Sequence, residues 1–185
     1  VTLASPAPSF SLNAVNFFVP GGSLAVQAPG SVTFNGLVSG AGALDLRGIG
    51  GAVSLLGNNT YAGGTRFGAN SVLVGSDIAL GSGAVAIEGN TTLSSHAPRA
   101  LANASSIGAG STLTIAGPGL ALGGTVSGDG GILKVSGSEM VLSGANTYAG
   151  GTRVAQGTLR IANTSGSATA LGTVTVSKGA TLAGI

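Results

Sequence analysis

The sequence predicts an all-β chain wound as a parallel β-helix of about eight coils, and three observations carry that prediction. Short alternating apolar runs recur throughout the 185 residues, with almost no helical period between them. Glycine punctuates the runs with 35 residues, while charged residues make up only 6% of the chain, against about 25% in ordinary soluble domains. One stretch of eight residues also occurs twice without a change, and such repetition marks stacked structural units.

The runs come at residues 24–26, 32–34, 44–46, 53–55, 72–74 and 85–87, then at 113–115, 120–122, 133–135, 140–142, 159–161 and 174–176. Most span three to five residues, which is short for the strands of the alternative architecture, a β-sandwich. Side chains alternate faces along a strand. Asp45, Lys134 and Arg160 sit between apolar neighbours, and Arg47 and Glu88 flank one. All five are therefore expected outside, leaving a dry inward row. Glycine pairs such as Gly63-Gly64 and Gly150-Gly151 supply the corners.

The duplicated stretch runs from Asn59 to Arg66 and again from Asn146 to Arg153, with Tyr61 matching Tyr148. An alternating run precedes and follows each copy. Where the second copy continues to Gly157, the first has Asn70, which reads as a demand for left-handed backbone and not for side-chain chemistry. At about 20–25 residues per coil, the offset of 87 residues would return the two tyrosines to equivalent corners four coils apart. A single unit covers 1–185. Within it, 1–20, holding Pro6, Pro8, Phe10, Phe17, Phe18 and Pro20, reads as an irregular first coil. Residues 94–106 lack alternation and read as a projecting loop, with a helical turn at Ala100 to Ala104.

Function classes narrow by composition. The seven Lys and Arg are scattered singly, unlike the clustered cations of a nucleic-acid binder, so no nucleic-acid partner is expected. Without cysteine there is no disulfide, thiol nucleophile or Cys-zinc site. No run of 18 apolar residues exists, and the first residues, from Val1 to Pro6, lack the basic and apolar regions of a signal peptide.

Chemistry gets little from the motifs. His96 lies beside Ser94 and Ser95, and Asp77 completes a nominal triad, but no nucleophile elbow accompanies it. Paired carboxylates would have to come from Asp45, Asp77, Glu88, Asp129 and Glu139. One histidine and five dispersed acids give no metal spacing. The run Gly128-Asp129-Gly130-Gly131 reads as a turn. Asn58, Asn90, Asn103 and Asn163 open acceptor patterns for glycosylation and read as turn or hydrogen-bonding residues. No catalytic, cofactor or metal residues are assigned, and no cofactor is expected.

The second copy, in its setting from Met140 through Leu142, Gly144, Asn146, Tyr148, Gly150, Gly151, Thr152, Val154, Gly157, Thr158 and Leu159 to Ile161, resembles the passenger-associated repeat of Gram-negative autotransporters (type V secretion). The first copy departs from that pattern at Phe67, Asn70 and Ser71. The resemblance implies a right-handed β-helix, displayed at the bacterial surface or released, and carried through the outer membrane by a C-terminal barrel of the parent chain. These residues then read as an excised portion of a longer polypeptide. The expected role is a non-enzymatic scaffold or stalk that supports passenger folding and secretion. Self-association or a host surface ligand is the expected partnership. A stalk for a protease, lipase or toxin domain outside this stretch, and a glycan-active β-helix enzyme, are the competing readings.

Overall fold

A computed structural model describes residues 1–13, 16–18 and 21–184 of the chain, residues 16–18 by their backbone. Among them all regular structure is β, and every pairing between strands is parallel. The strands lie on three faces of a solenoid. The first face stacks Thr2–Ala4, Ser23–Ala28, Ala43–Ile49, Thr65–Phe67, Val85–Ile87, Ser105–Ile107 and Val126–Gly128. The second stacks Ser9–Leu12, Ser31–Phe34, Val53–Leu55, Ser71–Val74, Thr91–Ser95, Thr112–Ile115, Gly131–Lys134, Thr152–Val154 and Val174–Val176. The third holds the pair Asn16–Phe18 and Leu37–Ser39, then Arg99–Leu101, Leu120–Leu122, Glu139–Leu142, Thr158–Ile161 and Thr181–Ala183.

One circuit of the faces is a coil, numbered here 1 to 9 by its second-face strand. Nine strands on that face make eight rises, about 38 Å at the usual spacing near 4.8 Å. In coils 3 and 4 the third face is not strand, yet backbone bonds carry the stack through. Thr60 N donates to Val38 O at 2.8 Å, and Ser82 N to Tyr61 O at 2.9 Å. Coil 8 crosses the first face in the same way, with Thr147 N donating to Val126 O at 2.8 Å.

Alternation does the sorting. In Val53–Leu55, Val85–Ile87 and Leu120–Leu122 the outer two residues are buried and the middle one is half-buried. Inward residues stack on inward residues of the next coil. Val53, Val72, Leu93, Ile115, Lys134, Val154 and Val176 climb one column in steps of 19 to 22 residues. No coil buries enough apolar area alone, and each gains its core from its neighbours.

Several expectations change. Lys134 does not point outward: it occupies that inward column between Ile115 and Val154 and is 0% exposed. Residues 132–135 are apolar at both parities apart from the lysine, so alternation alone left two phases open. Pairing of Ile132 with Leu113 and Thr152 fixes the phase that buries Lys134. Asp45, Arg47, Glu88 and Arg160 do face out.

Residues 94–106 form no projecting loop and no helical turn. They complete Thr91–Ser95, supply Arg99–Leu101 and begin Ser105–Ile107, so coil 5 is regular on all three faces. The stretch looked irregular because an inward position is filled by Ser95, whose hydroxyl donates to Pro118 O at 3.2 Å. The turn in this part of the chain lies earlier, where Ala79 N and Gly81 N donate to Ser76 O and Ile78 O. Among its described residues the first coil also pairs residue by residue with coil 2, from Leu3 on Val26 and from Phe10 on Val32. Pro20, one of the features expected to make it irregular, lies outside the described residues.

The two tyrosines do not return to equivalent corners. Tyr61 follows a second-face strand and lies on the third face, whereas Tyr148 follows a third-face strand and lies on the first. Coils average nearer 20 residues than 22, so an offset of 87 residues is four coils and one further face.

Candidate functional site: the repeated corner

The duplicated stretch is the most distinctive sequence feature, and each copy builds the same corner. Asn59 is buried, its Oδ1 accepting from Val38 N at 2.8 Å and its Nδ2 donating to Ala79 O at 2.6 Å. Asn146 does the same between Val126 N at 2.7 Å and Ala168 O at 2.6 Å. Each amide thereby joins its own coil to the coils below and above. An asparagine suits this because it offers a donor and an acceptor on one planar group. Buried backbone polar groups need such partners where the strand ladder is interrupted.

Two residues on, Tyr61 and Tyr148 are both 0% exposed. The Thr65 hydroxyl donates to Leu80 O at 3.1 Å, which leaves it to accept from the Tyr61 hydroxyl at 2.5 Å. Tyr148 and Thr152 make the equivalent bond. Burial pushes both phenols above their ordinary range, partly offset by the threonine partner. The glycines are required by space and by backbone. A Cβ on Gly63 would stand 2.4 Å from Gly42 C, and one on Gly150 would stand 2.5 Å from Gly130 C. Gly64 and Gly151 take φ of 89° and 80°.

Asn70 corrects another expectation. It does not adopt the left-handed conformation that Gly157 holds at φ 66°. Its side chain is instead buried, with Nδ2 donating to Ile49 O at 2.9 Å and Oδ1 accepting from Gly68 N at 3.0 Å. Glycine solves that corner with backbone freedom, and asparagine solves it with a side-chain bridge.

The arginines that close the two copies meet different surroundings. Arg66 lies 3.7 Å from Glu88, within a group in which Arg47 reaches Asp45 at 2.6 Å and Glu88 at 2.7 Å. Arg47 holds the Asp45 carboxyl below its ordinary value, mainly through their hydrogen bonds. Two of the five acids thus meet at one place, as neutralised ion-pair partners. Arg153 has no ion pair among the described residues, and Arg160 pairs with Glu139 at 3.0 Å.

The nominal triad is not assembled. Ser94 donates to Val72 O and Ser95 to Pro118 O, Asp77 accepts from Ala100 N, and His96 is exposed. Three asparagines of the acceptor patterns bond the backbone: Asn90 accepts from Thr112 N, Asn103 donates to Gly81 O and Gly83 O, and Asn163 donates to Ser165 O and Gly166 O. Among the described residues no group of three or more metal-ligating side chains is found.

Lys134 is the residue the sequence reading missed. Its Nζ donates to Ser136 O at 2.6 Å and to Gln156 O at 3.0 Å, with Ser136 Oγ at 3.4 Å. Desolvation lowers its pKa. No carboxylate completes the cage, and the only available signal was a lysine inside a run apolar at both parities.

The family model for the passenger-associated-transport-repeat matches residues 132–161. The matched segment starts beside the caged lysine, contains the whole second corner and ends with the third-face strand of coil 8. No curated protein and no solved structure matches the chain.

Proposed function

We propose that this chain, which carries a passenger-associated-transport-repeat, is a non-catalytic β-helical segment of an autotransporter passenger, displayed at the bacterial surface or secreted through the outer membrane. Its work is mechanical: it supports passenger folding and holds other parts of the parent polypeptide away from the cell. The observation that carries this reading is where the matched repeat spends its side chains. Asn146, Tyr148 and Thr152 are all turned inward and bonded within the stack, and Gly150 and Gly151 leave no room for more. A motif devoted to joining coils fits a rod better than a reaction.

The same geometry suits folding from one end. A completed coil offers Val126 N and the edge of its strands, and the next coil satisfies them through Asn146. Nearest-neighbour stacking of this kind propagates once begun. The test is surface display of the parent polypeptide in its own host, read by protease accessibility on intact cells, with Gly150→Val in the second corner. The expected result is lost display with the chain held or degraded inside. Undiminished display by a variant shown to be unfolded would sink the folding role, and turnover of a polysaccharide by the unmodified chain would sink the non-catalytic one.

A second reading, lateral self-association, is favoured by the second face. Its nine strands carry only two charged residues, of which Lys134 points inward, and outward positions such as Ser11, Thr33, Ser54, Thr92 and Thr114 carry hydroxyls. Little like-charge repulsion opposes packing there. Sedimentation over a concentration series tests it: a second-face charge such as Thr114→Glu should remove the larger species, and a monomer at all concentrations would dismiss the idea. Lys134 is unsuitable for such a reversal, since it is internal.

A further inference from the structure

We propose that the second face of coils 6 to 9 carries a binding ledge for the anionic oxo group, carboxylate or sulfate ester, of an acidic saccharide, with Arg153 as its anchor. An open ledge of about 450 Å³ lies there, its lining including Arg153, Thr112, Thr173, Thr175, Gly131 and Gly150. That volume is within the range of sites for small ligands, about 300–1,000 Å³. Threonine hydroxyls beside a guanidinium suit a polar, hydroxylated ligand. The guanidinium suits a planar or tetrahedral oxyanion, which it can bind through two parallel N–H groups.

Three observations give the ledge its sign. First, the duplicated stretch provides an internal comparison. Arg66 is neutralised by Glu88 on the first face, while Arg153, set one face further round, has no ion pair among the described residues. Second, Lys134 lies on the neighbouring second-face strand, paired with Val154, and its amine is caged by carbonyl oxygens without a carboxylate. A cation in low-dielectric surroundings projects its field more strongly than one in water. Third, the chain's charge is uneven. Residues 1–125 balance Arg47, Arg66 and Arg99 against Asp45, Asp77 and Glu88. Residues 126–185 set Lys134, Arg153, Arg160 and Lys178 against Asp129 and Glu139, which is the whole formal excess of +2. Of those two acids, Glu139 is engaged by Arg160, and Asp129, two residues before the ledge residue Gly131, is not among the ledge lining.

The experiment is a nuclear magnetic resonance titration of the isotopically labelled chain, following the Arg153 side chain and the Thr152 and Thr175 amides. The probes are a uronate-containing disaccharide, a sulfated disaccharide, their neutral parent disaccharide and inorganic sulfate. Saturable shifts with either acidic disaccharide, at a Kd of about 1 mM or tighter, are expected. Those shifts should weaken with salt, vanish in Arg153→Gln and persist in Arg66→Gln. The uronate and sulfated arms distinguish the two sources of the oxo group. Equal shifts with the neutral disaccharide would overturn the role of charge. Saturation by inorganic sulfate without response to either acidic sugar would overturn the saccharide, and unchanged shifts in a folded Arg153→Gln chain would overturn the anchor.

Discussion

Replacing Asn59 with alanine removes one side chain and strands two backbone groups. Val38 N–H loses its acceptor and Ala79 C=O loses its donor, both in places closed to water. Leaving a buried polar group unsatisfied costs about 1–3 kcal/mol, so the pair should cost about 2–6 kcal/mol. Asn59→Asp sharpens the case. The carboxylate keeps an acceptor for Val38 N but faces Ala79 O with no proton to give. Protonated, it regains that donor, so the folded-state pKa of this aspartate should lie above its unfolded value near 3.9. A raised carboxyl contributes stability that is present below the unfolded pKa and is lost as pH rises through the folded pKa. Asn59→Asp should therefore be nearest to the wild type in acid and fall behind it toward neutrality. Asn59→Ala should differ from the wild type by the same amount throughout. Urea denaturation at several pH values, with hydrogen exchange of the Val38 amide, measures both. A loss under about 0.5 kcal/mol for the alanine variant, below the cost of even one stranded group, would refute the clamp. So would an aspartate variant whose deficit shrinks with rising pH.

Other expectations follow the same structural logic. Lys134→Met should be near neutral or stabilising, because it replaces a buried amine held by carbonyls with an apolar chain of similar length. With the lysine's folded pKa lowered, the unfolded chain binds the extra proton. Wild-type stability should thus rise from that folded value toward about pH 10.4 relative to the methionine variant, which lacks this slope; paired urea midpoints will show it. Tyr61 and Tyr148, the chain's only tyrosines, should not ionise near pH 10 while folded, so alkaline ultraviolet titration should show both phenols ionising together with unfolding. Their raised folded pKa values mean that stability is fully present below about pH 10 and is lost above it. Ala170 holds φ of 57°, where the equivalent corner has Gly81 at 68°, so Ala170→Gly should stabilise by roughly 0.5–1 kcal/mol after the entropy of the unfolded glycine is subtracted. Thermal unfolding that starts earlier in Ala170→Gly would contradict this.

Much of the architecture is legible in the sequence, because alternation and glycine corners are local signals. Runs such as Val53–Leu55 and Leu120–Leu122 declare their buried faces by themselves. What failed depended on register. Lys134 lies among apolar residues of both parities, and only pairing with the neighbouring coils decides which way it turns. Ser95 and Arg99 occupy strand positions with side chains typical of loops, so coil 5 looked broken. The corner itself was visible as a motif, but its chemistry was not. Asn59 and Asn146 serve backbone groups about 20 residues away on either side, and nothing in the eight letters names those partners. Asn70 shows the converse, a residue whose left-handed tolerance suggested the wrong reason for its presence.

The two copies occupy different faces and are nevertheless the same corner, which makes two of the three edges of this prism interchangeable for that motif. A duplicated segment need not equal a whole number of turns to be accepted; it may arrive a third of a turn out of phase and still close. What changes with each such slip is the heading of whatever the motif carries outward. Two identical arginines now look out in directions about a third of a revolution apart, one toward a carboxylate and one toward open solvent. Rotation along the shaft can create new surface chemistry without a single new side chain.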